Sequence, residues 1–494
     1  MNKKLFGYAM SFFAVFGGSL VMAGNDVSRE IRTYMPFAVP IDPARIDTTV
    51  DIDISYALAS TLTELDEDGA PRAGLAGSWE ATAEKSISFR LRENGRWSNG
   101  ERIDAHEVVK SFERAKSVHG SQLQGLFSLV EKISAISTDI LEFRLKVPVN
   151  GSGILLKLTE PMYGIVKITH GNDINLKISS GPFYLKNETK NEIKFSLNTN
   201  WFGRHANMAE QITIRQKSDD IDLQNILLTD PWPNITTTSS LMNKQQFEHY
   251  KVSSYEMWQR NLDRIFLFSL GKRIANDDGF QFLKYLSKHL NRVGLAKNFS
   301  GLTLAQQMYP RGTSLYDEDF KCAPSRIALP SVFKTRPLDI VVSPMRVSPA
   351  LETNIISVIE EITGIAPHII RIPLDQIGSR RKIGDYDFYA GSFGADDANL
   401  DGALSYFIEG EASIIPSSGN SDENFVKRLN DTRNISNQSQ KIKLMRSIVS
   451  DATCSGHVLP LFHYSTIAVA NGGLDLSSVP TTDETVSFSK VKFK

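Results

Sequence analysis

At 494 residues the chain exceeds what one hydrophobic core usually serves, so two or more lobes are expected, and its 41% apolar and 22% charged residues are ordinary globular usage. A net charge of −1 gives no overall field for holding nucleic acid or an anionic membrane, which argues against polyanion binding. The chain opens on what reads as a targeting segment. Lys3 and Lys4 form a basic start, Leu5 to Val21 an apolar core, and Val21-Met22-Ala23 offers small residues where a signal peptidase cuts, so cleavage is expected after Ala23. Gly17, Gly18 and Ser19 interrupt the apolar run, which falls short of the roughly 20 residues a membrane span needs.

Ile31 to Ser60 begins the mature fold, with Asp42-Pro43 ahead of a helical run through Ile54, Leu58 and Leu62. Further on, Ile87, Phe89 and Leu91 alternate with Ser88, Arg90 and Arg92 at the period of a half-buried strand, and Asn94-Gly95 and Asn99-Gly100 suit tight turns. Asp104 with Glu107 three residues on has the form of a capping box, and Val108, Val109 and Phe112 form an apolar stripe, so a helix is predicted from near Ala105. Leu126 to Val147 reads as strands and connections, with clear alternation over 141–145; Gln211 to Arg215 reads as a strand and Asn234 to Ser240 as a polar loop.

The second half reads as a βαβ unit. Leu338 to Val342 is a strand, Ser348-Pro349 starts a helix carrying Leu351, Ile355, Val358, Ile359 and Ile362 on one side, Gly364 stops it, and Pro367 to Ile372 is the next strand. A second helix through Leu374 and Ile377 leads to a strand at Tyr386 to Ala390. Such a unit is right-handed, and ligands in open α/β sheets sit beyond the carboxyl ends of the strands, which here means Ser392 to Asn399. The chain closes with an amphipathic helix through Ile442, Leu444, Met445 and Ile448 and two apolar stretches, Leu459 to Phe462 and Ile467 to Ala470.

Several of these segments, in this order and spacing, resemble family 5 extracellular solute-binding proteins, the oligopeptide and dipeptide receptors of ABC importers. The resemblance is carried by Leu62 to Gly69, by Gly74-Leu75-Ala76-Gly77-Ser78-Trp79-Glu80 and by Ser88 to Ala115, then by Ser180 to Leu185, Leu197 to Phe202 and Leu459 to Phe462. It implies an α/β, two-lobed periplasmic binding protein-like fold with an extra subdomain in the first lobe and hinge strands between the lobes. On that basis residues 1–23 are a signal peptide, 24–69, 173–262 and 464–494 form lobe I, 70–172 the additional subdomain, and 263–463 lobe II. In such receptors an aromatic residue and, three positions later, an aspartate line the cleft, the aspartate pairing with the peptide's free α-amino group. Phe393 and Asp396 fall on those positions, with Asp397 beside them. Tyr34, Tyr255 and Trp258 are further candidates, although aromatics so placed often belong to a core or a lobe interface.

The resemblance implies a monomeric receptor that captures short peptides and hands them to an inner-membrane ABC permease, with no cofactor and no nucleic acid. Other readings are a receptor for an oligosaccharide, a metal complex or haem, or an orphan ligand sensor. The chain lacks a Gly-x-Ser-x-Gly elbow, a His-Glu-x-x-His motif, a phosphate loop and a dinucleotide fingerprint, and its nine histidines are scattered, so catalysis and metal binding are not expected. No cysteine follows the apolar start, so a lipid tether is not expected and a Gram-negative periplasm is the expected location. In that oxidising compartment Cys322 and Cys454 could pair, or could remain two buried thiols.

Overall fold

The structure is a computed structural model. It describes residues 29–494 other than 36, 38–40, 46–48, 67–69, 119–123, 150–152, 219–222, 224, 240–241, 244, 246–247, 251–253, 261–263, 324–326, 345, 374–375, 395–399, 401–403, 405–406, 410–412, 416–419, 434, 436 and 481–485. The first strand, β1 (Glu30–Met35), buries Ile31, Thr33 and Met35 along one side, as strand period two requires. Helix α1 (Thr49–Leu58) follows, and the chain then departs into a separate antiparallel sheet. That sheet is made of β2 (Ala76–Ala83), β3 (Ser86–Leu91), β4 (Val130–Ala135) and β5 (Ile140–Leu145), in the order β2-β3-β5-β4.

Between β3 and β4 runs α2 (Ala105–Ser117), and both halves of the predicted capping box are present: Asp104 Oδ1 accepts from the Glu107 amide at 2.9 Å, and Glu107 Oε2 accepts from the Asp104 amide at 3.4 Å. Its apolar stripe docks on the sheet, with Phe112 edge-on to Phe143 at 5.4 Å. Arg114, from the same helix, makes two bonds of 2.7 and 2.6 Å to the Asp42 carboxylate, a largely buried pair that ties this subdomain to the turn after β1. The stretch from Leu126, read from sequence as strands and connections, opens with a short helix, Gln124–Leu129, before β4 begins.

The chain then returns with β6 (Phe183–Glu188), β7 (Glu192–Leu197) and β8 (Gln211–Gln216), which complete a sheet in the order β1-β8-β7-β6 with β1 and β8 parallel. Next comes β9 (Ile235–Ser239), where the sequence suggested a polar loop. Ile235 and the β-branched Thr236, Thr237 and Thr238 form a strand because a late segment of the chain pairs with them, from Ala470 back to Ile467. β10 (Tyr255–Gln259) lies on the other side of that late segment.

The remaining elements form the second lobe: β11 (Arg264–Leu270), α3 (Asp277–His289), β12 (Leu302–Leu304), β13 (Asp339–Val342), α4 (Pro349–Thr363), β14 (His368–Arg371), α5 (Ile377–Ile383), β15 (Phe388–Gly394), α6 (Asn420–Arg433), α7 (Gln438–Cys454) and β16 (Val458–Tyr464). As the sequence suggested, Ser348 caps α4 and Gly364 ends it in the left-handed region, at φ 78°. Strand β17 (Thr466–Asn471) returns to the first lobe and lies between β9 and β10. The six-stranded sheet of the second lobe has the order β12-β16-β11-β15-β13-β14, with β13, β14 and β15 parallel. Each face carries its own core. Phe266, Phe268, Ile340 and Val342 meet α3 and α4 on one side, and Ile265, Leu267, Val341 and Tyr389 meet α7 on the other. Of the two alternatives for the cysteines, the structure shows the disulfide, Cys322 to Cys454, 132 positions apart.

Candidate functional site

Among the described residues, two pairs of consecutive strands lead between the sheets of the first lobe and the six-stranded sheet, and these crossings run side by side. β10 precedes β11 in the chain, and β16 precedes β17 with Ser465 between them. The register places Gln259 opposite Ile467 and Arg264 opposite Tyr464, and the Arg260 amide donates to the Thr466 carbonyl at 3.0 Å. Gln259 Nε2 reaches Ser465 Oγ and Arg264 Nε reaches Thr466 Oγ1, each at 3.3 Å.

The carboxyl end of β15 arrives at this same place. Gly394 is opposite Arg264 and Phe393 opposite Ile265, so the end of the strand where α/β sheets hold ligands is one register position from both crossings. Ser392, 8% exposed, receives the Tyr464 hydroxyl, which links the end of β15 to the end of β16 across β11.

Of the residues singled out in the sequence, Asp396 and Asp397 lie outside the described residues. Phe393 is 7% exposed, and its ring rests on Tyr389 at 5.8 Å and Phe407 at 5.9 Å. The Arg381 guanidinium, on the 5%-exposed side chain of α5, lies 5.7 Å from the Phe393 ring centre and 5.8 Å from that of Tyr389. The side chain of Phe393 is thus part of the second lobe's core, while its backbone forms the strand end at the crossings.

Tyr255 and Trp258 are also interior. Trp258 is 4% exposed, donates its indole N–H to the Val479 carbonyl at 3.0 Å and sits in the first lobe's core. Tyr255 donates to the Leu227 carbonyl at 3.2 Å and meets Tyr250 edge-on at 5.1 Å. It is four positions upstream of Gln259, at the end of β10 away from the crossing.

Tyr34 belongs to a half-buried polar cluster at the carboxyl ends of the parallel pair β1 and β8. Its hydroxyl donates to Asp230 Oδ2 at 2.8 Å, its ring stands 4.9 Å from Trp232, and Arg215 stacks 3.9 Å above the Trp232 ring while pairing with Glu192 at 3.3 Å. Burial and the bond to Asp230 raise the Tyr34 phenol above its ordinary pKa, against the lowering pull of Arg215. Nothing in the local sequence marks Arg215, Asp230 or Trp232 as partners of a tyrosine near the start of the chain.

Among the described residues no group of three His, Cys, Asp or Glu side chains is placed to hold a metal ion. A serine–histidine contact, Ser455 Oγ to His457 Nδ1 at 2.6 Å, closes the turn after α7, and the imidazole is 3% exposed and wedged between Phe280 and Phe425. That contact is part of the packing beneath the turn. At the strand end by the crossings, Ser392, Tyr464, Ser465, Thr466 and Arg260 are each at most 8% exposed.

Comparison with known proteins agrees with this architecture. Residues 70–229 match the profile of bacterial extracellular solute-binding proteins, family 5, middle region. The chain is 36% identical over 74 residues to the periplasmic oligopeptide-binding protein OppA of Salmonella typhimurium, which covers 15% of this chain and 14% of that one. It is 25% identical over 356 residues, 63% of each chain, to the dipeptide-binding protein of Lactococcus lactis. The matches therefore span less than two thirds of these relatives. Among solved structures, the periplasmic binding protein DppA of Helicobacter pylori, in complex with the peptide STSA, superposes with a TM-score of 0.76 at 15% identity, covering 94% of this chain and 97% of that one. Residues 70–229 thus carry the profile of family 5 of the bacterial extracellular solute-binding proteins, and the chain shares the two-lobed fold of the solved periplasmic binding proteins.

Proposed function

We propose that this protein is a periplasmic receptor that takes up short peptides in a cleft between its lobes and delivers them to an inner-membrane ABC permease. The observation that carries the reading is the arrival of β15's carboxyl end, the end at which open α/β sheets hold ligands, beside the strands that lead between the lobes. The names of the curated relatives, oligopeptide- and dipeptide-binding proteins, support peptides as the solute class. The family is one of receptors rather than enzymes. Residues 1–23 act as a cleaved signal peptide, and the mature protein works as a monomer. Residues 24–69, 173–262 and 464–494 make lobe I, 70–172 its subdomain and 263–463 lobe II.

In this reading Asp396, just past β15, holds the peptide's α-ammonium group, with Asp397 alongside. An ammonium taken out of water needs a compensating charge, and deleting one partner of such a pair costs about 3 to 5 kcal/mol, or roughly 10²- to 10⁴-fold in affinity. The rest of the affinity comes from main-chain hydrogen bonds to an extended ligand with its side chains in wet pockets. Contacts to both lobes exist only in the closed form, so binding shifts the population toward closure.

The test is mass spectrometry of solutes released by denaturation from protein purified out of its native periplasm, beside the same preparation of Asp396→Ala. A ladder of short peptides, depleted in the variant, is expected. A single non-peptide species would refute the peptide reading, and a ladder unchanged by the substitution would remove Asp396 from the site.

A further inference from the structure

The stretch from Ala305 to Cys322, with no helix or strand of its own, runs as a strap from β16 to the end of α7. It begins where the Ala305 amide donates to the Leu461 carbonyl at 3.0 Å, and His463 Nε2 bonds the Met308 carbonyl at 3.2 Å, so its first residues are fixed to β16. Gln307 and Asp317 close it on itself with reciprocal bonds of 3.0 and 2.9 Å, and Arg446 of α7 holds the Ser314 carbonyl at 2.7 Å. Its far end is the disulfide to Cys454, the last residue of α7.

Beneath the strap lie Leu404, Phe407 and Ile415. Met308, Tyr309 and Leu315 are each at most 3% exposed and share a core with Leu404, Phe407 and Ile415, and Phe407 carries the Phe393 ring at the end of β15. The seam is not fully filled. Met308 and Tyr309 on the strap, Phe407 and Ile415 below, and Ile448 and Val449 of α7 line a small apolar cavity. Atoms facing a void lose their dispersion partners, so the hold of this strap rests more on its tethers than a close-packed seam would require. The covalent tether is also reachable, because Cys322 is exposed and Cys454 half-buried.

We propose that residues 305–322 are a disulfide-latched strap, and that opening the latch loosens both the strap and the apolar bed of Leu404, Phe407 and Ile415 that supports the end of β15. A dithiol reductant opens it by transferring two electrons and two protons, leaving two cysteine thiols and the reductant as its own cyclic disulfide. The device makes solute affinity depend on the oxidising state of the compartment, and that consequence rests on the receptor reading above.

Amide hydrogen exchange on the full chain, before and after treatment with dithiothreitol, tests the coupling without reference to any ligand. On reduction, exchange is expected to rise about tenfold or more both in the strap and in peptides carrying Phe407 and Ile415, with β1 and β6 to β8 unchanged. The Cys322→Ser/Cys454→Ser protein should show the raised rates at the outset and no response to the reductant. A rise confined to the strap, one spread evenly through the second lobe, or an equal response in the double variant would overturn the proposal. Calorimetry with trialanine, expected to bind about fivefold more weakly to the reduced protein, reads the consequence for the cleft. Failure of trialanine to bind the oxidised protein would count against the peptide reading, and the exchange result would still decide the strap.

Discussion

His463 provides a quantitative test of the second lobe. Its side chain on β16 is 5% exposed, between Ile265 of β11 and Thr303 of β12 in register, and its Nε2 meets the Met308 carbonyl at 3.2 Å. Burial lowers its pKa from the ordinary 6.5 to about 4, partly countered by the bonds to the Met308 and Gln307 backbone. Between those two values the unfolded chain binds a proton that the folded chain refuses. The contribution to stability is therefore complete above about pH 6.5 and is lost as pH falls toward 4, in total about 3 kcal/mol. Urea unfolding of the wild type and of His463→Gln, whose amide offers a neutral donor in place of Nε2, should be followed from pH 7.5 to pH 4. Every other titrating group is common to both proteins, so the wild type should lose about 3 kcal/mol more than the variant across this interval, with the difference concentrated below pH 6.5. Parallel pH profiles for the two proteins would refute the assignment of a buried, neutral imidazole.

Three further substitutions test the packing within each lobe. Asp387 is fully buried, accepts from Arg336 at 2.6 and 2.7 Å and from the Asp339 amide at 2.8 Å, so Arg336→Leu leaves a buried carboxylate without its main partner and should cost about 3 kcal/mol in denaturant unfolding. Asp387→Asn keeps the shape and removes the charge, and should cost less; the reverse order would contradict the argument. In the first lobe, a Cβ at Gly181 would stand 2.5 Å from the Leu58 carbonyl carbon and 2.6 Å from the Ala59 amide, so Gly181→Ala must push α1 from the start of β6 and should cost about 1 to 3 kcal/mol, measured as a lower unfolding midpoint.

What was legible in the sequence follows from the range of the interactions. The capping box at Asp104 and Glu107, the start of α4 at Ser348-Pro349 and its stop at Gly364 are decided within four residues, and each is where the pattern put it. Thr236, Thr237 and Thr238 read as a loop because their pairing partners lie more than 200 residues away in β17. The Tyr34 cluster was hidden for the same reason, since Tyr34 and Asp230 are 196 positions apart. Trp258 looked like a cleft aromatic because it lies close to a crossing in sequence, yet strand alternation turns it into the core, and its indole N–H is satisfied by the equally remote Val479.

The solute itself leaves little imprint on the sequence, and the geometry of the crossings explains why so little is needed. β11 pairs with both β15 and β16, so the end of β15 lies beside the strands that lead between the lobes, and in the proposed reading a solute seated there touches both lobes. Moving a two-state equilibrium from 1:99 to 99:1 takes about 5.5 kcal/mol of differential binding. In the proposed reading, two to four charge-assisted hydrogen bonds of about 1.5 to 3 kcal/mol each, completed only on closure, supply that difference. A receptor of this design therefore requires a single acidic side chain and a few backbone groups at one strand end. Backbone groups carry no residue signature, so two such receptors can share the whole fold and differ in solute through a few residues near the crossings.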